Sequence, residues 1–120
     1  QHKKGGINST VEATRHASNS ELLKKARAYI NLVLAHGTTC IEIKSGYGLT
    51  TEAEIKILRV IAKLKDRFPI PIKSTFLGAH AFPYADKEKY IKAIIHEMLP
   101  QIYSEGLADY IDVFCEEWSD

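Results

Sequence analysis

Residues 38–54, TTCIEIKSGYGLTTEAE, restrict the fold of this chain more than any other stretch of it. An apolar run rich in β-branched residues predicts a strand, the two glycines after it predict a turn, and a helix begins at once after them. Lys44, Ser45 and Tyr47 lie where the strand ends. A strand that passes through a tight turn into a helix is the repeating unit of α/β proteins, whose ligands bind at the carboxyl ends of the strands.

Two later strands end in the same way. The stretch IKSTFLGAHAFP predicts a second strand that ends on His80, and YIDVFCEE predicts a third that ends on Glu116. Because the carboxyl ends of parallel strands meet at one edge of a sheet, the three strands together predict one half of an α/β active site. Lys44, Ser45 and Glu116 are candidate neighbours of that site.

Helical periodicity fills the sequence between the strands. Ser18 and Glu21 have capping-box spacing at the start of the first predicted helix, and Gly37 is placed to end it. Thr51 and Glu54 form a second capping-box pair, which predicts the start of the next helix. The residues before Ser18 are predicted to form a loop.

A third predicted helix begins at Asp86, and Pro100 should break or kink it. Its apolar stripe consists of Tyr90, Ile91, Ile94, Ile95, Met98 and Leu99. With strands predicted at 39–44, 72–77 and 110–115, helices and strands alternate, which indicates an α/β fold with a parallel sheet and right-handed crossovers. Three strands cannot bury both faces of such a sheet, so we expect the chain to associate with itself or to form part of a longer barrel.

Composition excludes several functions. The 120 residues allow one domain at most, and a net charge of +1 argues against nucleic acid as the main partner. No apolar run approaches the roughly 18 residues of a transmembrane helix, and residues 1–10 are polar, without a signal-peptide pattern. Cys40 and Cys115 both fall in predicted strands, where we expect buried free thiols. These features together predict a cytoplasmic protein with no membrane partner.

Polar and aliphatic residues alternate along the first strand. Ile41 and Ile43 share the face that should pack on helices, whereas Glu42 and Lys44 share the other face. The polar face suits the interior of a barrel near its open end. An ion pair between Glu42 and Lys44 that closes the barrel explains the same pattern equally well.

The turn SGYGLT combines two glycines with a helix start at about Thr50. Such a turn can present backbone N–H groups to an anion, although glycines are as often required for a positive φ alone. Tyr47 lies between the two glycines with no local partner for its ring, so we expect its hydroxyl to face a ligand. His80, a lone histidine at a strand end, is more often structural than functional. The sequence contains no His-x-His, His-x-x-x-His or Cys-x-x-Cys spacing for a metal.

These stretches resemble the imidazolonepropionase family, the metal-dependent amidohydrolases of histidine degradation. The matching pieces are GGINSTVEATR at 5–15, TTCIEIKSGYGL at 38–49, TFLGAHAFP at 75–83, EMLP at 97–100 and LADYIDVFCE at 107–116. They follow the family order and spacing and cover almost the whole chain. The resemblance therefore identifies residues 1–120 as a middle segment of such an enzyme.

The resemblance implies a TIM-like (β/α)8 barrel, of which this chain would form a part, and hydrolysis of 4-imidazolone-5-propanoate to N-formimino-L-glutamate. It also implies a single zinc or iron ion, and a homodimer for the full-length enzyme. Tyr47 and His80 match the residues with which the family contacts its substrate. The segment that bears Ser9, Thr10 and Arg15 matches one near the substrate mouth, with no individual role assigned.

Part of the family pattern is expected to lie outside this sequence. The His-x-His metal pair belongs to an earlier strand, and the other metal ligands and the catalytic Glu belong to later strands, so no metal ligand is assigned here. KKGG replaces the usual triple glycine near the start. Glu117, Trp118, Ser119 and Asp120 stand where the family continues with Gly and Phe. We therefore expect the segment to contact substrate but to lack the metal centre.

Three hypotheses for function follow. The first is a segment of an imidazolonepropionase that supplies substrate-contacting loops. The second is a non-catalytic α/β fragment, or an anion-binding module that uses the SGYGLT and GAHA loops. The third is an amidohydrolase that acts on another cyclic amide.

Overall fold

Helices and strands alternate through residues 7–83 and 86–115, the parts of the chain that the computed structural model describes. The elements are α1 Ile7–His16, α2 Asn19–Ala35, β1 Ile41–Lys44, α3 Thr51–Lys65, β2 Ile72–Ala79, α4 Lys87–Ala93, a π-helical segment Ile94–Met98, α5 Leu99–Glu105 and β3 Tyr110–Val113. The last three helical pieces follow one another without a break.

The strands form a parallel sheet in the order β1-β2-β3, with β2 in the middle. Ile41 pairs with Ile72 at the start of β1, and Thr75 pairs with Tyr110 at the start of β3. The α/β class and the parallel sheet are therefore confirmed. Three strands are compatible with consecutive β/α units, but they do not show a closed TIM-like barrel.

The core lies between β2 and the helices that connect the strands. Fully buried side chains come from α3, β2 and the helix after β2: Leu58, Leu64, Phe76, Tyr90 and Met98. Burying each apolar side chain of this size contributes roughly 1.5–3 kcal/mol. The aliphatic face of β1, Ile41 and Ile43, packs against this cluster as predicted.

Polar side chains link the strands on the face opposite Ile41 and Ile43. Thr75 Oγ1 donates to Glu42 Oε1 at 2.5 Å, which joins β2 to β1. Lys44 Nζ donates to Asp112 Oδ2 at 2.7 Å and lies 3.7 Å from Glu42 Oε1. The predicted ion pair between Glu42 and Lys44 therefore exists, with Asp112 of β3 as the closer partner of Lys44.

The residues before Ser18 form a helix, α1, and the predicted loop is wrong. Ile7 and Val11, one helical turn apart, pack on the core. The β-branched residues of α1 have low helix propensity, so local sequence gives a weak signal. Contacts from elsewhere hold the helix, because Lys56 of α3 donates to three carbonyl groups at the carboxyl end of α1 at 2.9–3.0 Å.

The helix caps were predicted in part. Ser18 and Glu21 form the expected capping box of α2, and Gly37 follows its end with a φ of +88°. The second predicted capping box is wrong, because Thr50 and not Thr51 caps α3. The Thr50 hydroxyl accepts a backbone N–H bond from the first turn of α3 at 3.2 Å.

The helix from Lys87 to Glu105 passes through Pro100 without breaking. Proline has no N–H, and its ring collides with the carbonyl group four residues back in an α-helix. The π-helical segment Ile94–Met98 lies immediately before α5 and widens the helix there. This wider turn gives the proline ring room, so of the predicted break or kink, the break does not occur.

Burial along this helix differs from the predicted stripe. Asp86 caps the helix as expected, accepting a backbone N–H bond at 2.9 Å. Tyr90 and Met98 lie in the core, but Ile91 and Ile95 are 43% and 50% exposed. The stripe is therefore narrower than six apolar residues suggested.

Both cysteines are free thiols, as predicted, but neither is buried. Cys40 precedes β1 and Cys115 follows β3, since both strands are shorter than the predicted 39–44 and 110–115. Among the described residues, no helix has the length and apolar character needed to cross a bilayer.

The carboxylate of Asp109 ties the start of β3 to β2 and α3. It accepts hydrogen bonds from Lys65 Nζ at 2.5 Å and from Ser74 N at 2.8 Å. Lys65 also donates to Ser74 Oγ at 2.9 Å, which closes a small network around the buried Ser74 hydroxyl, with Lys65 and Asp109 partly exposed. The bond from Lys65, followed by the backbone bond from Ser74, holds the pKa of Asp109 well below its ordinary value.

We expect Asp109→Asn to lower the free energy of unfolding by about 1–3 kcal/mol, as hydrogen bonds to charged groups are lost. Because the folded-state pKa is lowered, this stabilisation is fully present above the unfolded-state value of about 3.9 and is lost as the pH falls below it. Thermal unfolding by circular dichroism between about pH 2 and pH 7 measures the difference. Asp66→Asn, at the exposed end of α3, is the matched control. A loss that is equal at every pH would contradict the prediction.

Candidate functional site

Three ring side chains meet at the carboxyl edge of the sheet. Tyr47 follows β1, His80 follows β2 and Phe114 follows β3. The Tyr47 and His80 rings meet edge to face, with centroids 5.1 Å apart and planes at 84°. The His80 and Phe114 centroids are 6.3 Å apart. The three residues form an aromatic row, in which the two residues singled out from the sequence are direct neighbours.

Phe114 was not singled out from the sequence as a site residue. It is 50% exposed and places an apolar ring beside the imidazole of His80. The available signal was its position two residues after Asp112, at the end of the third predicted strand. Glu116, a predicted neighbour of the site, lies outside the described residues.

The imidazole of His80 is oriented by the turn after β1. Its Nδ1 lies 3.0 Å from the carbonyl oxygen of Gly46. A carbonyl oxygen only accepts hydrogen bonds, so Nδ1 carries a proton. Neutral His80 therefore presents Nε2 as an acceptor, and protonated His80 presents an N–H group there. A ligand can exchange a hydrogen bond with this ring only through Nε2.

The turn of residues 45–50 is folded around a buried carboxylate. Glu54 of α3 is fully buried and accepts N–H bonds from Gly46 at 2.8 Å, from Gly48 at 2.7 Å and from Leu49 at 2.9 Å. All three partners are donors, so the ionised carboxylate, which only accepts, satisfies them. The turn does present N–H groups to an anion, as predicted, but the anion is the chain's own glutamate. This occupancy argues against the hypothesis of an external anion in the SGYGLT loop.

Arg15 of α1 binds the outer side of the same turn. Its Nε donates to the carbonyl oxygen of Gly48 at 2.6 Å, and its Nη2 donates to that of Leu49 at 3.2 Å. Ser9 and Thr10, which the family resemblance placed near the substrate mouth, lie on α1 and are exposed. Side chains therefore bind both the N–H and the C=O groups of the turn.

Ser45 and Lys44, the other predicted neighbours of the site, cross-link strands. Ser45 is fully buried, and its Oγ accepts a hydrogen bond from Leu77 N at 3.1 Å. Leu77 lies where the pairing of β2 with β3 is irregular. The Ser45 hydroxyl therefore accepts the hydrogen bond of a main-chain N–H group next to this irregularity. The hydrogen bond from Lys44 to Asp112 raises the pKa of Lys44 and keeps its ammonium group on the sheet.

The described residues do not assemble a metal site. Within residues 7–83 and 86–115, no three His, Cys, Asp or Glu side chains lie close enough together to hold an ion. The aromatic row itself contains one ligand of the usual kinds, His80. What this edge offers a ligand is a ring nitrogen, a phenol hydroxyl and an apolar ring face, a combination suited to a small planar polar heterocycle.

The fold and this edge define an α/β protein with a candidate ligand site at the carboxyl ends of its strands. Comparison with known proteins then confirms the resemblance to imidazolonepropionases. The chain is 51% identical over 116 residues to the imidazolonepropionase of Caldanaerobacter subterraneus subsp. tengcongensis, and 55% identical over 115 residues to that of Colwellia psychrerythraea. These alignments cover 94% and 93% of this chain but 28% of each relative, so the chain spans less than a third of their length. No protein-family model matches the chain.

Gly46 is in close contact with the end of β2 and with His80, which follows it. Its φ is +97°, and a Cβ atom there would lie 2.5 Å from the carbonyl oxygen of Leu77 and 3.0 Å from His80 Cβ. Gly37 has a similar φ of +88°, but nothing lies within 4 Å of a Cβ added there. Replacing each glycine with alanine therefore separates two contributions to the loss of stability. Both variants are destabilised by a side chain at positive φ, but only the Gly46 variant is also destabilised by crowding.

We expect Gly46→Ala to lower the free energy of unfolding by about 2–5 kcal/mol, of which about 1–2 comes from positive φ and about 1–3 from overpacking. Gly37→Ala should cost only the first part, about 1–2 kcal/mol. Urea unfolding of both variants measures the difference. Equal losses at the two positions would refute the crowding between the turn and His80.

Proposed function

We propose that the protein carrying this chain is an imidazolonepropionase, which hydrolyses 4-imidazolone-5-propanoate to N-formimino-L-glutamate in histidine degradation. The observation that carries the proposal is the contact of Tyr47 with His80, 5.1 Å between ring centroids, at the carboxyl edge of the sheet. It occurs in a chain 51% and 55% identical to two imidazolonepropionases. The substrate combines a planar ring, bearing N–H and C=O groups, with a propionate, and these groups match what the aromatic row offers.

His80 is proposed to bind the imidazolone ring through Nε2. Since Nδ1 donates to Gly46 O at 3.0 Å, only the second ring nitrogen is left for a ligand. Neutral His80 would accept a hydrogen bond from a ring N–H, and protonated His80 would donate one to the ring carbonyl oxygen. Negative charge develops on that oxygen as water attacks, so a donor there stabilises the transition state.

Tyr47 is proposed to hold the substrate through its hydroxyl group. The side chain is 38% exposed and its ring contacts His80, which supports a hydrogen bond from its hydroxyl to either the polar ring or the propionate. Phe114 adds an apolar surface on the other side of the imidazole. These contacts orient the substrate, and none of them generates the nucleophile.

Activation of water is assigned to parts of the protein outside the described residues. Opening a cyclic amide at neutral pH requires an activated water, and a bound metal ion lowers the pKa of water to about 7. We propose zinc or iron in this role, with ligands from other strands of a TIM-like (β/α)8 barrel that this chain helps to build. A cytoplasmic homodimer is the proposed full-length form. An amidohydrolase acting on another cyclic amide is the competing proposal, and a panel of cyclic amide substrates separates the two.

The 120-residue chain alone should show no imidazolonepropionase activity and bind no stoichiometric metal. The reason is the missing ligand set, since the described residues hold no group of three metal-binding side chains. Metal analysis of the purified chain and a ring-opening assay with added zinc or iron test this, with the full-length enzyme assayed in parallel. Robust turnover by the chain alone would refute the proposal that the metal ligands lie on other strands of the protein.

In the full-length enzyme, His80→Ala should reduce kcat/KM by a factor on the order of 10²–10³, the usual loss for a missing oxyanion donor. Metal content should stay unchanged, since His80 is proposed to contact substrate and not the ion. Tyr47→Phe should do less, costing about 1–2 kcal/mol for one lost hydrogen bond. His96→Ala and Tyr103→Phe, at exposed positions, are the matched controls. Loss of metal in His80→Ala would make His80 a ligand, and full activity would make it a structural histidine.

A further inference from the structure

Glu54 is a buried acid that the proposed reaction does not use. Its two carboxylate oxygens receive the N–H groups of Gly46, Gly48 and Leu49 at 2.7–2.9 Å. The helix that carries Glu54 is capped by Thr50 and does not need this carboxylate as a cap. The three bonds therefore serve the turn between β1 and α3.

That turn has a backbone conformation that its sequence alone does not favour. Gly46 has a φ of +97°, and Leu49 has a φ of +53°, which is unusual for a residue with a bulky side chain. Leu49 is nevertheless held in the core, at 2% exposed. A conformation of this kind persists when surrounding contacts over-determine it. The buried bonds to Glu54 provide such contacts from the inner side.

Arg15 provides them from the outer side. Its guanidinium group donates to the carbonyl oxygens of Gly48 and Leu49 at 2.6 and 3.2 Å. The helix that carries Arg15 is itself anchored, because Lys56 donates to the carbonyl oxygen of Arg15 at 3.0 Å and to two further carbonyl groups nearby. Lys56 and Glu54 lie on the same helix, α3, so one rigid element holds both sides of the turn.

We propose that Glu54 and Arg15 are positioning residues that place Tyr47 for its contact with the substrate. The Gly48 N–H group, in the peptide unit directly after Tyr47, binds Glu54, and so does the Gly46 N–H group, one peptide unit further back on the other side. Glu54 therefore holds the backbone both before and after Tyr47. Holding a contact group in place matters because a misplacement of about 1 Å can cost roughly 100-fold in rate. The inference rests on the proposed function, since it assigns the residues that place one of its substrate contacts.

The decisive variant is Glu54→Gln in the full-length enzyme. Glutamine keeps the shape of the side chain but replaces one accepting oxygen with a donor, which would face a backbone N–H group and repel it. We expect kcat/KM to fall about 5- to 30-fold, the loss expected for the Tyr47 hydrogen bond itself. Glu52→Gln, an exposed position on the same helix, is the matched control and should leave activity unchanged.

A double-mutant cycle with Tyr47→Phe tests whether Glu54 acts through Tyr47. In the Tyr47→Phe background, Glu54→Gln should change kcat/KM by no more than about twofold, because the contact it positions is already gone. The same loss in both backgrounds, or no loss in either, would overturn the proposal. Should Glu54→Gln fail to fold, Arg15→Lys decides by the same cycle, with Arg27→Lys as its control, since both arginines are exposed.

Amide hydrogen exchange gives a reading that does not depend on activity. Glu54→Gln should speed exchange at Gly46, Gly48 and Leu49 at least about tenfold while leaving β2 unchanged, since local opening of the turn becomes easier. Unchanged exchange at the three amides would overturn the proposed positioning role of Glu54, even in an enzyme that is inactive on imidazolone. If the wild-type enzyme were inactive on imidazolone but its turn amides were protected from exchange, the proposed function would be refuted. The role of Glu54 in holding the turn would not be.

Discussion

The carboxylate of Glu54 accepts three main-chain N–H groups from the turn between β1 and α3, and it does so without exposure to water. Leaving buried donors of this kind without a partner costs about 1–3 kcal/mol each. Helix α3 packs on β2 and supplies much of the core, so its position is set by the sheet as a whole. Glu54 therefore fixes the turn, and with it Tyr47, relative to the sheet.

Elements whose signals are local were predictable from the sequence. The capping box at Ser18 and the alternation of strands and helices depend on residues close in the chain, and both are present. The choice of Thr50 over Thr51 as the cap of α3 depends on Glu54, which binds the turn and is not available to complete a capping box. Helix α1 depends on Lys56, a residue far along the chain, so its own sequence carried too little information.

The candidate site follows the same division. That Tyr47 and His80 lie at one edge could be predicted, because parallel strands bring their carboxyl ends together. That their rings touch, and that the imidazole is held by a carbonyl group of the neighbouring turn, depends on the distance between strands and on the shape of the turn. The contribution of Phe114 depends on where β3 ends, and strand ends are the least reliable part of a sequence-based prediction.

The π-helical segment before Pro100 also decides which side of its helix meets the core. Tyr90, Ile94, Met98 and Ile102 all pack inward, and they are four residues apart. In a regular α-helix a four-residue repeat rotates about 40° around the axis at each step, so its last members would swing toward solvent. A turn with i→i+5 bonds takes up an additional residue and slows that rotation. The wide turn therefore keeps the apolar faces of the helix before and after it directed at the same core. Pro100 follows directly after this turn, which contains one residue more than a regular α-helical turn.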